Sequence, residues 1–300
     1  MPAPLLMVMA TLLFATMGVC VKLASEFYAA SEIVMYRGLV GMVAMALLTR
    51  HQGGSLRTKV PGMHVWRSIS GVTSLCLWFY AIAKLPLATA MTLNYMSSVW
   101  MALFLLGGAV LMGAQKLDWR LMASVLLGFV GVALILRPTV DERQLWHGLA
   151  GLLSGMLAAM AYLQVTALGR AGEPELRVVF YFSMGGAIAG ALITAVTEGG
   201  LQMHTLKGAA LLLAVGLLAT TAQVCLTRAY AIGRPLVNAC LQYLGIVFSF
   251  GYGMLLFKDP LTWLAAVGML LIIGAGIAAT LLRAQVAPPP KDSQFNPNES

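Results

Sequence analysis

A chain of 300 residues that is 60% hydrophobic and only 10% charged falls far below the roughly 25% charge of soluble domains, which excludes an ordinary soluble enzyme. Its formal charge of +8 comes from basic residues set singly between apolar runs, as orientation-setting charges are. No basic stripe is present, so a nucleic-acid partner is not expected.

Ten stretches carry no Asp, Glu, Lys or Arg: 1–21, 38–49, 68–83, 85–115, 121–136, 148–169, 178–197, 208–227, 235–257 and 261–282. A hydrocarbon core of roughly 30 Å needs about 20 helical residues. Shorter runs reach that length by taking in flanking residues whose charges snorkel to the interface. The expected fold is all-α and integral to the lipid bilayer, with ten transmembrane helices. The first run lacks a basic segment ahead of it and reads as a membrane helix, not a cleaved signal. If the second helix starts near Ser31, Arg37 lies about 9 Å along it. An arginine there either faces a watery interior and holds a carboxylate or phosphate, or snorkels outward or pairs with Glu32. The sequence leaves both open. The third run supplies Trp78 and Tyr80. The fourth opens on Pro86 and carries Asn94, Tyr95 and Trp100. The fifth and tenth hold Gly128, Gly131, Gly274 and Gly276, residues that let helices approach closely. Tyr162 and Gln164 lie in the sixth run and Gln223 in the eighth. The seventh has Gly185, Gly186 and Gly190, suited to packing or flexing. The ninth opens on Pro235 and carries Gln242 and Tyr243. Residues 284–300 read as a disordered cytoplasmic tail.

Cys20, Cys76, Cys225 and Cys240 all sit inside apolar runs without CxxC spacing and read as small core residues. No GxxxxGK[ST], HExxH or metal-ligand cluster is present, so no ATP-driven motor, enzyme, cofactor or metal is expected. No acidic residue lies at mid-span depth, so the usual proton-relay signature is missing.

Both termini of a ten-span chain lie on one side. With the N-terminus cytoplasmic, 12 basic residues, Arg67 among them, fall inside and 7, Arg37 among them, fall outside. The positive-inside rule thus places both termini in the cytoplasm of an inner membrane protein. The two halves also echo each other. Tyr80-Ala81-Ile82-Ala83-Lys84 matches Tyr230-Ala231-Ile232-Gly233-Arg234, and Pro86-Leu87-Ala88-Thr89-Ala90 matches Pro235-Leu236-Val237-Asn238-Ala239. Residues 1–140 and 147–283 would then be five-helix repeats. Five is odd, so the second copy inserts upside down, and inverted repeats around a central midplane site are a transporter architecture.

On Tyr36-Arg37, the Pro86-Leu87-Ala88-Thr89-Ala90 segment and the glycine-bearing fifth and tenth helices, the chain resembles the drug/metabolite transporter superfamily, and within it the EamA-like ten-helix carriers. The resemblance covers about residues 5–283. Two features depart from the family pattern: Ser98 and Ile246 stand where a proline is common, and Gln115 and Asp259 stand where a Gly-Glu pair is common. The resemblance implies a secondary transporter of small organic metabolites, amino acids or related compounds, by export and alternating access. Uptake of nucleoside-like or vitamin-like solutes, such as S-adenosylmethionine or riboflavin, is the alternative. A channel or a non-transporting scaffold is a second one. The expected substrate-binding residues are Arg37, Trp78, Asn94, Tyr95, Tyr162, Gln223, Gln242 and Tyr243. Carboxamides and phenols offer both donors and acceptors in a low-dielectric cavity. For Trp78 and Tyr80 an interfacial position is the competing reading. The sequence is compatible with a monomer or a homodimer.

Overall fold

The computed structural model describes residues 1–97, 142–197, 200–233, 241–259 and 262–286, Asn238, and scattered positions between 99 and 134. These residues form helices and connections, with no strand among them. In chain order the helices are α1 Ala3–Ala24, α2 Ala30–His51, α3 Pro61–Lys84, α4 Leu87–Tyr95, α5 Glu142–Arg170, α6 Glu175–Thr197, α7 Leu206–Ile232, α8 Leu244–Tyr252 and α9 Trp263–Val286. A π-type turn at Gly253–Phe257 follows α8.

Five stretches are long and apolar enough to cross a membrane: Ala3–Ala24, Ala30–His51, Leu145–Arg170, Glu175–Thr197 and Leu206–Ile232. Helix α3 has 24 residues, but His64, Arg67 and Lys84 lower its apolar character. Most of the fifth expected span lies outside the described residues, and so does the tail beyond Val286. Helix α9 itself continues into the segment expected to be disordered, through residues 284–286.

The distribution of side chains is that of a protein dissolved in lipid. Leu192 and Val196 are 62% and 83% exposed, while Thr92, Ser97, Ser154 and Ser249 are fully buried. Lipid tails are as apolar as leucine, so close packing and interhelical hydrogen bonds have to hold such a bundle. Helix α2 packs most extensively on α6, α1 on α7 and α3 on α5. The α2–α6 seam is backbone on backbone. A Cβ on Gly38 would lie 2.6 Å from the Ser183 carbonyl, and one on Gly190 would lie 2.7 Å from that of Ser31. Thr194 also donates to Ser31 Oγ at 3.0 Å. Gly190 is thus a packing residue, and so is Gly185, which meets Ser68 of α3.

Helix α3 is tied to α5 by Ser74, which donates to the Ser154 carbonyl at 2.8 Å, and by Ser70, which donates to Gln164 Oε1 at 2.8 Å. Gly155 brings α5 to within a Cβ radius of α4, where the added atom would lie 2.7 Å from the Leu93 carbonyl. Asp259 takes over the first turn of α4: its Oδ2 accepts the Leu87 N–H at 3.0 Å, and Lys22 Nζ lies 3.6 Å from Oδ1. The aspartate thus supplies the helix-end carboxylate at the position where the family pattern has a glutamate.

Candidate functional site

Helices α1 to α7 and the residue Gln242 line one cavity, with an empty volume of about 590 Å³ that includes its opening to solvent. Thr11 and Phe14 reach it from α1, Arg37 from α2, Arg67, Gly71, Ser74, Leu75 and Trp78 from α3, and Asn94 and Tyr95 from α4. Helix α5 contributes Ala158, Ala161 and Tyr162, α6 Phe182, α7 Gln223 and Leu226, while Gln242 enters just ahead of α8. Seven of the eight residues expected from the sequence therefore meet in one place. The eighth, Tyr243, is buried but does not line the cavity.

Arg37 is 4% exposed, which rules out snorkelling. It does not pair with Glu32 either. That carboxylate is fully buried beside His204 at 3.6 Å and accepts the Gln202 N–H at 3.4 Å. The guanidinium of Arg37 instead stands over the Phe182 ring, 5.1 Å from its centroid. A second guanidinium shares that ring. Arg67 is 3% exposed, with its Cζ 4.2 Å from the same centroid. The expectation that Arg67 is an inside loop charge is therefore corrected. Helix α3 begins at Pro61, six residues earlier, and carries Arg67 into the bundle.

Two cations that both lie this close to one ring are separated by no more than about 9 Å. At an effective dielectric of about 20 they repel by roughly 2 kcal/mol or more. Among the described residues no carboxylate pairs with either one. Attraction to the ring face offsets part of the cost.

Other side chains are held in place by their helices. Asn94 Nδ2 donates to Ser154 Oγ at 3.0 Å, which in turn donates to the Gly151 carbonyl. The Tyr95 phenol lies where a Cβ on Gly245 would be. Tyr162 stacks on Tyr230 with ring centroids 5.9 Å apart, and Trp78 meets Phe14 edge-on at 6.4 Å. Trp78 is therefore a cavity residue, while Tyr80, 40% exposed, faces outward.

Beyond the cavity, one polar cluster joins two connections. Glu173, between α5 and α6, accepts from Thr58 at 2.9 Å and from Arg177 at 3.1 Å, and lies 3.1 Å from His64 Nε2. Burial raises the Glu173 carboxyl pKa, but the hydrogen bonds from His64, Thr58 and Arg177 outweigh it and hold the group below its ordinary value. Arg177 Nη2 donates to the Ser55 carbonyl at 2.7 Å, and the Tyr181 hydroxyl donates to the Leu56 carbonyl at 3.0 Å. No group of three or more metal-ligating side chains gathers among the described residues.

Comparison with known proteins places the chain among transporters. Residues 1–137 match the EamA-like transporter family. The pseudopaline exporter of Pseudomonas aeruginosa is 33% identical over 280 residues, 91% of this chain and 94% of that protein. The riboflavin transporter of Rhizobium johnstonii is 29% identical over 216 residues, 72% of this chain and 68% of that one. One crystal structure shares the fold at a TM-score of 0.67 and 20% identity, covering 95% of this chain and 99% of the other.

Proposed function

Because this chain belongs to the EamA-like transporter family and is a small-metabolite transporter, not an enzyme, we propose that it is a secondary exporter of amino acids or related carboxylate-bearing metabolites. The cargo occupies the central cavity, with Arg37 as its anion anchor and Asn94, Gln223 and Gln242 fixing its orientation. Trp78, Tyr95 and Tyr162 supply apolar faces. One observation carries this reading: a buried guanidinium, with no carboxylate partner among the described residues, stands in a cavity lined by seven helices and Gln242. An unpaired buried charge is costly unless a ligand compensates it.

The carrier has ten spans in two inverted repeats, residues 1–140 and 147–283, and works by alternating access. The helix pairing supports this. Exchanging the first five expected spans for the second five maps the α1–α7 contact onto α5–α3 and leaves α2–α6 on itself. Both termini are cytoplasmic in an inner membrane. Arg37 and Arg67 drop out of the topological tally, one from each side, so its margin is unchanged. Export is favoured because the 33% identical relative is named an exporter.

The test is counterflow in proteoliposomes against labelled amino acids, other carboxylates, nucleosides and vitamins. Exchange of at least one carboxylate-bearing solute is expected, and Arg37→Gln should abolish it while the protein remains in the membrane. Exchange of uncharged solutes alone, or full activity in Arg37→Gln, would refute the reading.

A further inference from the structure

Several fully buried donors of the cavity residues find no partner among the described side chains. Among the lining residues, the buried nitrogens with no partner are Arg37 Nε, Arg67 Nε, Arg67 Nη1, Trp78 Nε1 and Gln242 Nε2. The Gln242 carboxamide can be turned to offer its oxygen instead. The other four can only donate. Among the described residues no lining oxygen is both fully buried and without a partner. A water in the site would satisfy donors but would leave both charges in place.

The charge has the same sign throughout. Among the described residues, Arg37 and Arg67 are the charged residues of the lining, and no Asp or Glu lines it. One carboxylate bridging both guanidinia would leave a net buried cation. Two negative charges leave none. The arginines also approach from opposite ends. Gly41 meets Ser183 while Gly190 meets Met35, so α2 runs antiparallel to α6; His64 meets Tyr181 while Val72 meets Gly185, so α3 runs parallel to it. Arg37 is seven residues into α2 and Arg67 six into α3, about 9–10 Å from opposite faces of the bundle. Two anionic groups at the two ends of a short solute would each find a planar fork of donors.

We propose that the cargo is a dianion rich in acceptor oxygens, with one anionic group on Arg37 and the other on Arg67, and that Arg67 is what separates it from monoanionic solutes. This rests on the reading of the cavity as the cargo site. The dianion is either a short dicarboxylate or a phosphate monoester.

The experiment uses the purified full chain in a chloride buffer at pH 7.4. It compares thermal protection by succinate and glutarate with that by their half-amides, succinamate and glutaramate, and protection by glycerol 3-phosphate with that by glycerol. Protection by a dianion at concentrations about tenfold or more below its less charged partner is expected. The arm that responds identifies the source as dicarboxylate or phosphate. Arg67→Gln should erase the preference, bringing protection by each dianion down to that by its less charged partner. Removing an unpaired buried charge should also raise the melting temperature of the unliganded protein. If Arg67→Gln cannot be purified folded, Arg67→Lys decides. It keeps the charge but loses the fork, and should cut the preference several-fold.

Equal protection by partners, protection by no dianion, or a preference that survives both Arg67 variants would each overturn the proposal. Half-amide binding that depends on Arg37 without any dianion preference would sink the dianion alone and leave the carrier reading intact. Counterflow insensitive to Arg37→Gln would remove both.

Discussion

A methyl group on Gly71 would fall on the Nη1 atom of Arg67, one turn earlier on α3, and within 3.0 Å of the Phe182 ring. The glycine thus leaves the space that the guanidinium fills. Gly71→Ala should displace Arg67 and lower apparent cargo affinity about tenfold, roughly 1.4 kcal/mol, with membrane insertion unchanged. Gly62→Ala on the same helix, where a Cβ meets nothing within 4 Å, is the matched control and should transport normally. Equal effects of the two changes would show that Gly71 acts through helix propensity alone. Tyr95 should respond similarly: Gly245→Ala pushes the phenol out of its seat and should impair transport more than the conservative Tyr95→Phe. Seven of the seventeen lining residues were legible in the sequence, because a polar or aromatic side chain inside an apolar run has to face something other than lipid. Arg67 was not. Bounding spans by their charges makes any arginine at a boundary look like a loop residue, and the run at 68–83 begins one position after it. The helix start at Pro61 and the Arg67–Gly71 spacing of four were the signals available. Tyr243 lies off the cavity lining, since the symmetry of two sequence words does not oblige both members of each pair to face the same way.

Where helices begin and how they are tied together depends on side chains remote in sequence. Helix α4 starts at Leu87 with its first N–H accepted by Asp259, 172 residues later. Asp259→Ala should cost about 1 kcal/mol, as loss of a helix-start acceptor does. Lys22→Gln should cost less, because the ion pair is partly exposed. Parallel melting curves for wild type and Asp259→Ala would deny the capping role. The connection from α2 to α3 is tied to Glu173 and Arg177 in the same long-range manner. Since the folded Glu173 carboxyl sits below its ordinary value of 4.5, its contribution is complete above about pH 4.5 and fades as pH falls through the lower folded value. Glu173→Gln should therefore lose about 1–3 kcal/mol at pH 7 and show a flatter decline in melting temperature between pH 5 and 3.5. A decline as steep as wild type would assign the acid sensitivity elsewhere. None of these ties was readable from periodicity, which reports what a helix buries and not what holds its ends.

The arrangement of helices rests on seams that admit no Cβ. Gly38→Ala and Gly190→Ala should each disturb the α2–α6 contact enough to reduce folded protein, whereas Gly186→Ala, with only Val34 near 4.0 Å, should be tolerated. Similar yields for all three would mean that the seam relaxes at little cost. Orientation is tested with single cysteines in a background lacking the four native ones. A cysteine at Ser55, in the α2–α3 connection, should resist a membrane-impermeant thiol reagent in intact cells. A cysteine at Met203, before α7, should react. The reverse pattern would invert the topology. That the chain is helical and apolar enough to lie in a membrane was legible because hydropathy is a property of composition, and five membrane-length helices stand among the described residues. The partnering of α1 with α7, and of α3 with α5, was not, because contacts between distant helices leave their trace in scattered glycines and serines.

The two arginines of the cavity have a practical consequence for anyone who handles the protein. A guanidinium does not by itself discriminate between a cargo carboxylate or phosphate and a buffer oxyanion. Phosphate, sulfate and citrate all present acceptor oxygens in the required sign, and a competitor at ten times its own dissociation constant weakens apparent cargo affinity about elevenfold by mass action. A preparation washed in phosphate would thus arrive at the assay already loaded. Its substrate profile would be a record of what displaces phosphate. Chloride or zwitterionic buffers are accordingly part of the experiment's design, and a cargo missed in one laboratory's buffer should reappear in another's.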